Sequence, residues 1–298
     1  MGGAFVAVAS DSSAAWWNPA GLAAGPFFDM ALARAEVEIS DELPVWRQRT
    51  SGFALGTPPL GLSYYRFRIT DIRPFDPTAE GAAGRENRGA GVPVRSLSAS
   101  QLGVTLVQTL LPGVHTGATL KYLRGRFSAG HEDGRASPAE LLDRGDALED
   151  GDAENRFDLD LGVLATAGVV RLGARVRNVL EPTVGPVRME RQTRLGVAVA
   201  PAAAGGVPLT VAVDADVDSY TVATGRRRVV AVGAEQWFLE RRVAVRAGGR
   251  INTVGARERS ATAGASVAVR AGLYVDGHVV RGGAADEKGW GVAARVSF

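Results

Sequence analysis

From residue 28 onward the chain repeats one pattern, segments of roughly nine to twelve residues in which apolar side chains alternate with small or polar ones. Across 209–218, Leu209, Val211, Val213, Ala215 and Val217 point one way, while Thr210, Ala212, Asp214, Asp216 and Asp218 point the other. Residues 157–165 set Phe157, Leu159, Leu161 and Val163 against Asp158, Asp160 and Gly162, and 170–178 set Val170, Leu172, Ala174 and Val176 against Arg171, Gly173, Arg175 and Arg177. A period of two describes a strand with one apolar and one polar face, and this segment length is what a tilted strand needs to cross a bilayer. Strands are predicted at 28–38, 45–56, 60–69, 97–110, 114–127, 157–165, 170–178, 191–200, 209–218, 227–238, 243–251, 260–269, 271–279 and 289–298. That makes about fourteen, an even number as bacterial transmembrane barrels require.

The connections sort independently of the strands. Leu111-Pro112-Gly113, Ala167-Gly168 and Thr57-Pro58-Pro59 are tight turns, and between them lie the long segments 70–96, 128–155 and 180–190. Such barrels have short periplasmic turns and longer outer loops, so strict alternation of the two kinds fits a chain whose amino terminus is periplasmic. One turn, 201–207, is looser and rich in Ala and Gly. Within 128–155, Ser137-Pro138-Ala139-Glu140 has the form of a capping box with Pro at the first helical position, which predicts a short helix through Leu142. The acidic run 143–154 that follows reads as a solvated loop end and lacks the spacing of a known calcium loop.

Composition narrows the alternatives. A chain of 298 residues with 46% hydrophobic and 22% charged residues holds one large domain or two ordinary ones. It has no Cys, which removes disulfides, thiolate metal sites and cysteine catalysis together. A formal charge of only +2 gives little support to nucleic-acid binding. No apolar run reaches the length of about 18 residues that a membrane-spanning helix needs. His115, His131 and His278 are scattered without metal-ligand spacing; His131 falls in a predicted loop, and the other two fall on predicted lumen faces. No Gly-rich phosphate loop follows a strand. The residues therefore point away from an enzyme and away from any cofactor.

Ahead of the first strand lies MGGAFVAVASDSSAAWWNPAGL. Asn18 precedes Pro19 and is held out of the helical region, Pro19 has a fixed φ, and Gly21 tolerates a positive one, so the chain is expected to bend sharply there. Its spacing, with a Gly-Gly-Ala start, the acidic-Ser run, the pair Trp16-Trp17 and Asn18-Pro19-Ala20-Gly21-Leu22, resembles the opening of the outer-membrane barrel superfamily that includes FadL-type transporters and the PorV, PorQ and TraF-like proteins. Later phrases are similar to strands of the PorV and TraF-like branch: residues 172–180, Gly233-Ala234-Glu235-Gln236-Trp237 and residues 245–250. The chain closes with Trp290, Val292, Ala294, Val296 and Phe298 on one face, which resembles the signal read by the barrel-assembly machinery.

The resemblance implies an all-β fold, a transmembrane antiparallel up-and-down β-barrel in residues 27–298, with residues 1–26 folded into the lumen as a plug. It implies a bacterial outer-membrane location, and with it a signal peptide upstream of Met1. No apolar secretory core precedes Asp11 within the sequence itself.

An arginine on the lipid face near the midplane costs roughly 2 to 4 kcal/mol, so the charged face of each strand is expected to line the lumen. This assigns Lys121, Asp158, Asp160, Arg171, Arg175, Arg177, Arg194, Asp214, Asp216, Glu235 and Arg246 to an inner network. Asp158 and Asp160 would sit between Lys121 on one strand and Arg171, Arg175 and Arg177 on another, with Arg194 beside Asp214 and Asp216, and Glu235 beside Arg246. Such a lumen is ionic and not lined by apolar groups, which suits a narrow, filled interior.

Two functions fit. One is FadL-like uptake of small hydrophobic molecules, gated by the plug at Trp16, Trp17, Asn18, Pro19, Ala20 and Gly21, with exit sideways through the wall. The alternative is a PorV-like partner whose outer loops hold an exported protein and which transports nothing. A soluble β-sandwich is a third possible fold, disfavoured by the sorted loops. Expected partners are outer-membrane lipid, the assembly machinery, and hydrophobic small molecules or an exported protein, with no nucleic acid.

Overall fold

The computed structural model describes residues 1–39, 45–72, 91–133, 135–201, 207–222, 225–255, 258–283 and 287–298. Fourteen antiparallel strands close into one barrel: β1 (Asp29–Ile39), β2 (Val45–Thr57), β3 (Leu60–Ile72), β4 (Val92–Leu111), β5 (Val114–Glu132), β6 (Ala153–Ala167), β7 (Val170–Arg177), β10 (Gln192–Val199), β11 (Leu209–Asp216), β14 (Val229–Phe238), β15 (Val243–Asn252), β16 (Arg259–Arg270), β17 (Leu273–Gly282) and β18 (Lys288–Ser297). The remaining four strands form two small hairpins in the outer loops: β8 (Thr183–Val184) with β9 (Val187–Arg188), and β12 (Tyr220–Val222) with β13 (Gly225–Arg227). β1 and β18 pair from Asp29↔Ser297 to Glu38↔Lys288, which joins the first barrel strand to the last. This closed cylinder excludes the β-sandwich.

Burial is inverted relative to a water-soluble protein. Along β6, Phe157, Leu161 and Val163 are exposed while Asp158 and Asp160 are buried. The outward positions around the cylinder carry Leu62, Tyr64, Leu102, Val104, Leu120, Leu172, Leu195, Val197, Val213, Val232, Val245 and Val292, all exposed. A continuous apolar surface of this extent needs lipid to cover it. The barrel is a transmembrane one.

Several sequence expectations need correction at the loop end. β4 begins at Val92 and β5 continues to Glu132, so His131 is in a strand and not in a loop, and the stretch outside strands between β5 and β6 is shorter than 128–155. Beyond the hydrocarbon neither face of a strand is uniformly apolar, and the alternation that marks it in the sequence fades. The two hairpins β8–β9 and β12–β13 are too short for periodicity to reveal. Most of the predicted loop 70–96 and the turn 201–207 lie outside the described residues.

The predicted helix is present as α2 (Pro138–Asp146), one turn longer than expected, with both halves of the capping box formed: Ser137 N–H donates to Glu140 Oε2 (2.9 Å) and Glu140 N–H to Ser137 Oγ (3.3 Å). The Ser137 N–H and then its hydroxyl, both donating to the Glu140 carboxylate, hold that carboxyl below its usual range. The acidic residues after Leu142 are not all solvated. Asp146 is buried and accepts from Thr70 Oγ1 (2.5 Å), Arg47 (3.3 Å) and Arg49. Leu141 and Leu142 pack on Val45, Ile72 and Val94, outward-facing residues at the tops of β2, β3 and β4, so α2 leans against the outside of the extended wall.

If the apolar band faces lipid, Val213→Arg, on an outward position of β11 that is 46% exposed, will cost roughly 2 to 4 kcal/mol. Chemical unfolding of the barrel in phosphatidylcholine vesicles measures this; a loss under 0.5 kcal/mol, about what a surface change costs, would remove the lipid-facing assignment.

Candidate functional site

The lumen is built from inward positions of the strands and from the amino-terminal segment that touches them. That segment contains a short helix, α1 (Ala14–Trp17), followed by one 3-10 helix (Pro19–Ala24). The Asn18 side chain accounts for the bend. It is fully buried; its Nδ2 donates to Val6 O (2.8 Å) and Val163 O (3.0 Å), and its Oδ1 accepts from Ala20 N–H (3.2 Å). One amide thereby ties the start of the segment, its turn and strand β6 together. Further along, Gly2 N–H donates to Thr262 Oγ1 (2.7 Å), Phe5 and Val6 N–H to Asp214 Oδ2 (2.8 and 2.9 Å), and Ser12 N–H to Asp29 Oδ1 (2.8 Å).

The wall makes room for this segment with glycine. Four cross-strand pairs, Gly56↔Gly61, Gly117↔Gly162, Gly173↔Gly196 and Gly233↔Gly248, face each other on adjacent strands. A Cβ at Gly56 or Gly61 would stand 2.8 or 2.6 Å from the Leu22 side chain, and one at Gly233 would stand 2.6 Å from Met1 Cα. At Gly117 it would strike the Pro19 backbone, at Gly162 the Asn18 amide and at Gly173 the Val6 carbonyl. Glycine inside strands weakens them and marks close approach of another backbone. Small residues continue the track, with Met1, Ala4 and Ala7 against Ala198, Ala212 and Ala231. Strand periodicity does not single out these glycines, because an inward Gly satisfies the polar half of the alternation; their matching positions on neighbouring strands are the available signal.

The expected charges divide into three roles. Lys121, 2% exposed, lies 2.5 Å from Asp158 Oδ2 and 2.6 Å from Asp160 Oδ1, Arg194 lies 2.6 Å from Asp216, and Arg246 pairs with Glu235 and with Asp276 (3.2 Å). Asp158 and Asp160 also accept from the Leu180 and Asn178 N–H groups (3.1 and 2.9 Å), anchoring the loop after β7.

Other members serve the amino-terminal segment instead. Asp214 binds backbone N–H groups and not Arg194, while Arg175 donates to the Trp16 and Trp17 carbonyls (3.3 and 3.1 Å) at the end of α1, where a cation suits the helix dipole. Arg177 covers the Trp16 ring at 3.9 Å and reaches Asp160 at 3.8 Å. The strand carrying Asp158 and Asp160 lies between the one carrying Lys121 and the one carrying Arg171, Arg175 and Arg177, as expected, but register lets only Arg177 of the three reach an aspartate. Arg175 is opposite Gly162 and Arg171 is opposite Thr166, below the aspartates, and Arg171 has no ion-pair partner among the described residues. Trp16 further meets Tyr65 edge to face at 5.0 Å, and Trp17 stacks on Phe5 at 5.1 Å. At the other terminus, Trp290 points outward and Phe298 N–H donates to Phe28 O (2.9 Å).

A second correction concerns the lining. The lumen is not ionic throughout. Near the loop end, inward residues Phe67, Leu97, Ala99 and Leu123 form an apolar wall, and Val184, Val187 and Met189 of the β8–β9 hairpin fold in against it. Val184 is fully buried, and a Cβ at Gly125 would stand 2.6 Å from it. The alternation rule hides this patch, because above the hydrocarbon the faces exchange character, with Arg66, Ser98, Ser100 and Arg124 outward and the apolar residues inward.

Comparison with solved structures finds matching architecture along nearly the whole chain. The CymD monoaromatic hydrocarbon channel superposes with a TM-score of 0.64 at 12% identity, covering 98% of this chain and 94% of its own. A Pseudomonas aeruginosa FadL homologue gives 0.63 at 10% identity, covering 99% and 96%, and the P. putida toluene transporter TodX gives 0.57 at 12%, covering 97% and 94%. This is the fold of the FadL-type barrels. No protein-family model matches the sequence, and no curated protein does. The FadL-type fold therefore rests on strand number, closure and shape.

Removing one partner of a buried ion pair leaves an uncompensated charge. Lys121→Met is expected to destabilise the barrel by about 3 to 5 kcal/mol, and adding Asp158→Asn with Asp160→Asn to recover much of that loss. Equilibrium unfolding of the two variants beside the native barrel in detergent checks the coupling; a triple variant no more stable than Lys121→Met would overturn it.

Proposed function

We propose that this FadL-type barrel resides in the bacterial outer membrane and takes up small hydrophobic molecules, with residues 1–26 as the hatch. The observation that carries the reading is the apolar inner wall of Phe67, Leu97, Ala99 and Leu123 at the loop end, directly backed by a hairpin that buries only a few side chains against it. A hydrophobic solute that displaces Val184 and Val187 exchanges one apolar contact for another, whereas a polar solute leaves that wall bare. Aromatic hydrocarbons belong to this class, and the similarity to channels described as carrying monoaromatic hydrocarbons and toluene supports it.

Below this wall the route changes character. Lys121, Asp158, Asp160 and Arg177 fill the lumen with charge, and the amino-terminal segment lies across it. A solute that prefers hydrocarbon has no favourable path straight down, so it leaves sideways into the bilayer. The pairing between β1 and its neighbours is continuous over their described lengths, so sideways exit requires a local parting of strands. Asn18 and Pro19 hold the hatch, and Trp290 and Phe298 serve the barrel-assembly machinery.

The test is saturable binding of a labelled aromatic hydrocarbon to the refolded barrel, together with its uptake. Leu97→Asp and Leu123→Asp are each expected to weaken binding at least about tenfold, since losing one apolar contact is worth on the order of 1.5 to 3 kcal/mol. Absence of saturable binding, with an exported protein co-purifying instead, would favour a partner protein. Asn18→Ala strips the donor from two buried carbonyls and is expected to raise uptake; unchanged uptake would make the turn a purely structural feature.

A further inference from the structure

Between the lipid-facing band and α2, the outer surface of β1 to β6 carries a row of charge that the lumen does not explain. Cross-strand register places Arg34, Ser51, Arg66, Ser100, Arg124 and Asn155 side by side on successive strands, all outward. The outward residues next below them on the same strands are Leu32, Phe53, Tyr64, Leu102, Tyr122 and Phe157. Each arginine therefore stands directly above the apolar and aromatic edge of the hydrocarbon band, on the side of the long loops. Aromatic girdles of this kind mark the membrane interface.

The arginines higher on the same wall have partners, carboxylates for Arg47 and Arg49 and backbone carbonyls for Arg68 and Arg126. Arg47 pairs with Glu38 and Asp143 (both 2.6 Å), Arg49 with Glu36 (2.8 Å) and Asp146, and Arg68 and Arg126 donate to the carbonyls of Asp146 and Glu149. Arg34, Arg66 and Arg124 are exposed, and no acidic group lies within ion-pair distance of any of them among the described residues. Beside Arg34, a depression of about 580 Å³ is lined by Leu32, Phe53, Tyr64, Val275 and Val292. Unpaired cations above an apolar hollow are complementary to an amphiphile with an anionic head and acyl chains.

We infer that Arg34, Arg66 and Arg124 bind the phosphates of a bis-phosphorylated glycolipid of the lipid A type in the outer leaflet. The inference rests on the outer-membrane reading above. Neighbouring arginines of the set are two strands apart, about 10 Å given the usual strand spacing, so one headgroup with two phosphates can engage two of them at once. A phosphodiester lipid such as phosphatidylglycerol engages one. Guanidinium is the group best suited to phosphate oxygens, and the intervening Ser51 hydroxyl adds a donor between two of them.

The experiment uses the full barrel refolded into phosphatidylcholine vesicles, extracted in detergent and titrated with lipid A, monophosphorylated lipid A or phosphatidylglycerol, with retained lipid read by native mass spectrometry. Lipid A is expected to be held at least about tenfold more tightly than phosphatidylglycerol, with the monophosphorylated form between them. The combined variant Arg34→Gln, Arg66→Gln, Arg124→Gln is expected to lose at least about tenfold in lipid A affinity. Arg270→Gln, at the short-turn end of β16, is expected to keep it. Equal retention by the triple variant, or equal affinity of the native protein for phosphatidylglycerol, overturns the site. Heat-modifiable gel mobility reports insertion separately: a native chain that does not insert overturns the membrane reading as well, whereas insertion without lipid A retention overturns this inference alone.

Discussion

The hydrogen-bonded seam between β1 and β18 is the constraint on which the remaining structure depends. In hydrocarbon an unpaired backbone amide or carbonyl has no water to turn to, so a sheet survives there only without edges. Once Asp29 to Glu38 pair with Ser297 to Lys288, every barrel strand has two neighbours. Closure then dictates the side chains. With the backbone satisfied within the wall, the outer face can be wholly apolar, and the polar halves of fourteen strands are forced to face one another in a confined interior. Buried charges at that density persist only when paired or hydrogen-bonded. The Lys121–Asp158–Asp160 and Arg194–Asp216 contacts follow from closure as much as from function.

A filled interior conflicts with the presence of a further chain segment inside it, and glycine resolves the conflict. Paired glycines weaken both strands they occupy. Here they remove side-chain volume at matched heights, and the backbone of the amino-terminal segment occupies the space, contributing its own hydrogen bonds to Asp214, Val163 and Thr262. The segment thus completes the wall from inside, and its burial explains why so much of a short irregular stretch is inaccessible to solvent.

What the sequence made legible follows the same physics. The lipid-crossing halves of the strands were readable because hydrocarbon enforces alternation strictly; Leu209 to Asp216 and the central part of β6 appear where they were expected. Helix α2 was readable from Ser137, Pro138 and Glu140 because a capping box is a local device. Outside the hydrocarbon the rule lapses. The upper ends of β4 and β5, the apolar patch around Leu97 and Leu123, and the hairpin at Thr183 to Arg188 depend on contacts between segments far apart in the chain. Among the charges, partners require register. A period of two cannot say whether Arg175 lies opposite Asp160 or Gly162.

The way the amino-terminal segment is held also bears on what moving it entails. Beside the neutral bonds of Asn18 and Gly2, many of its contacts are charge-assisted: two N–H groups on the Asp214 carboxylate, two carbonyls on the Arg175 guanidinium, Asp11 on Arg295 at 3.0 Å and the Trp16 ring beneath Arg177. Its apolar contacts are mostly with Ala and Gly, which present little area. Charge-assisted bonds of this type exchange with water at a net cost of roughly 1.5 to 3 kcal/mol each, provided water can reach them. If water is kept out, each group left behind carries its full desolvation penalty, and Arg175 and Asp214 are both buried. The segment is therefore stable in a dry lumen and displaceable in a wet one. Hydration around Arg175 and Asp214, more than the strength of any single contact, sets how firmly the segment is held.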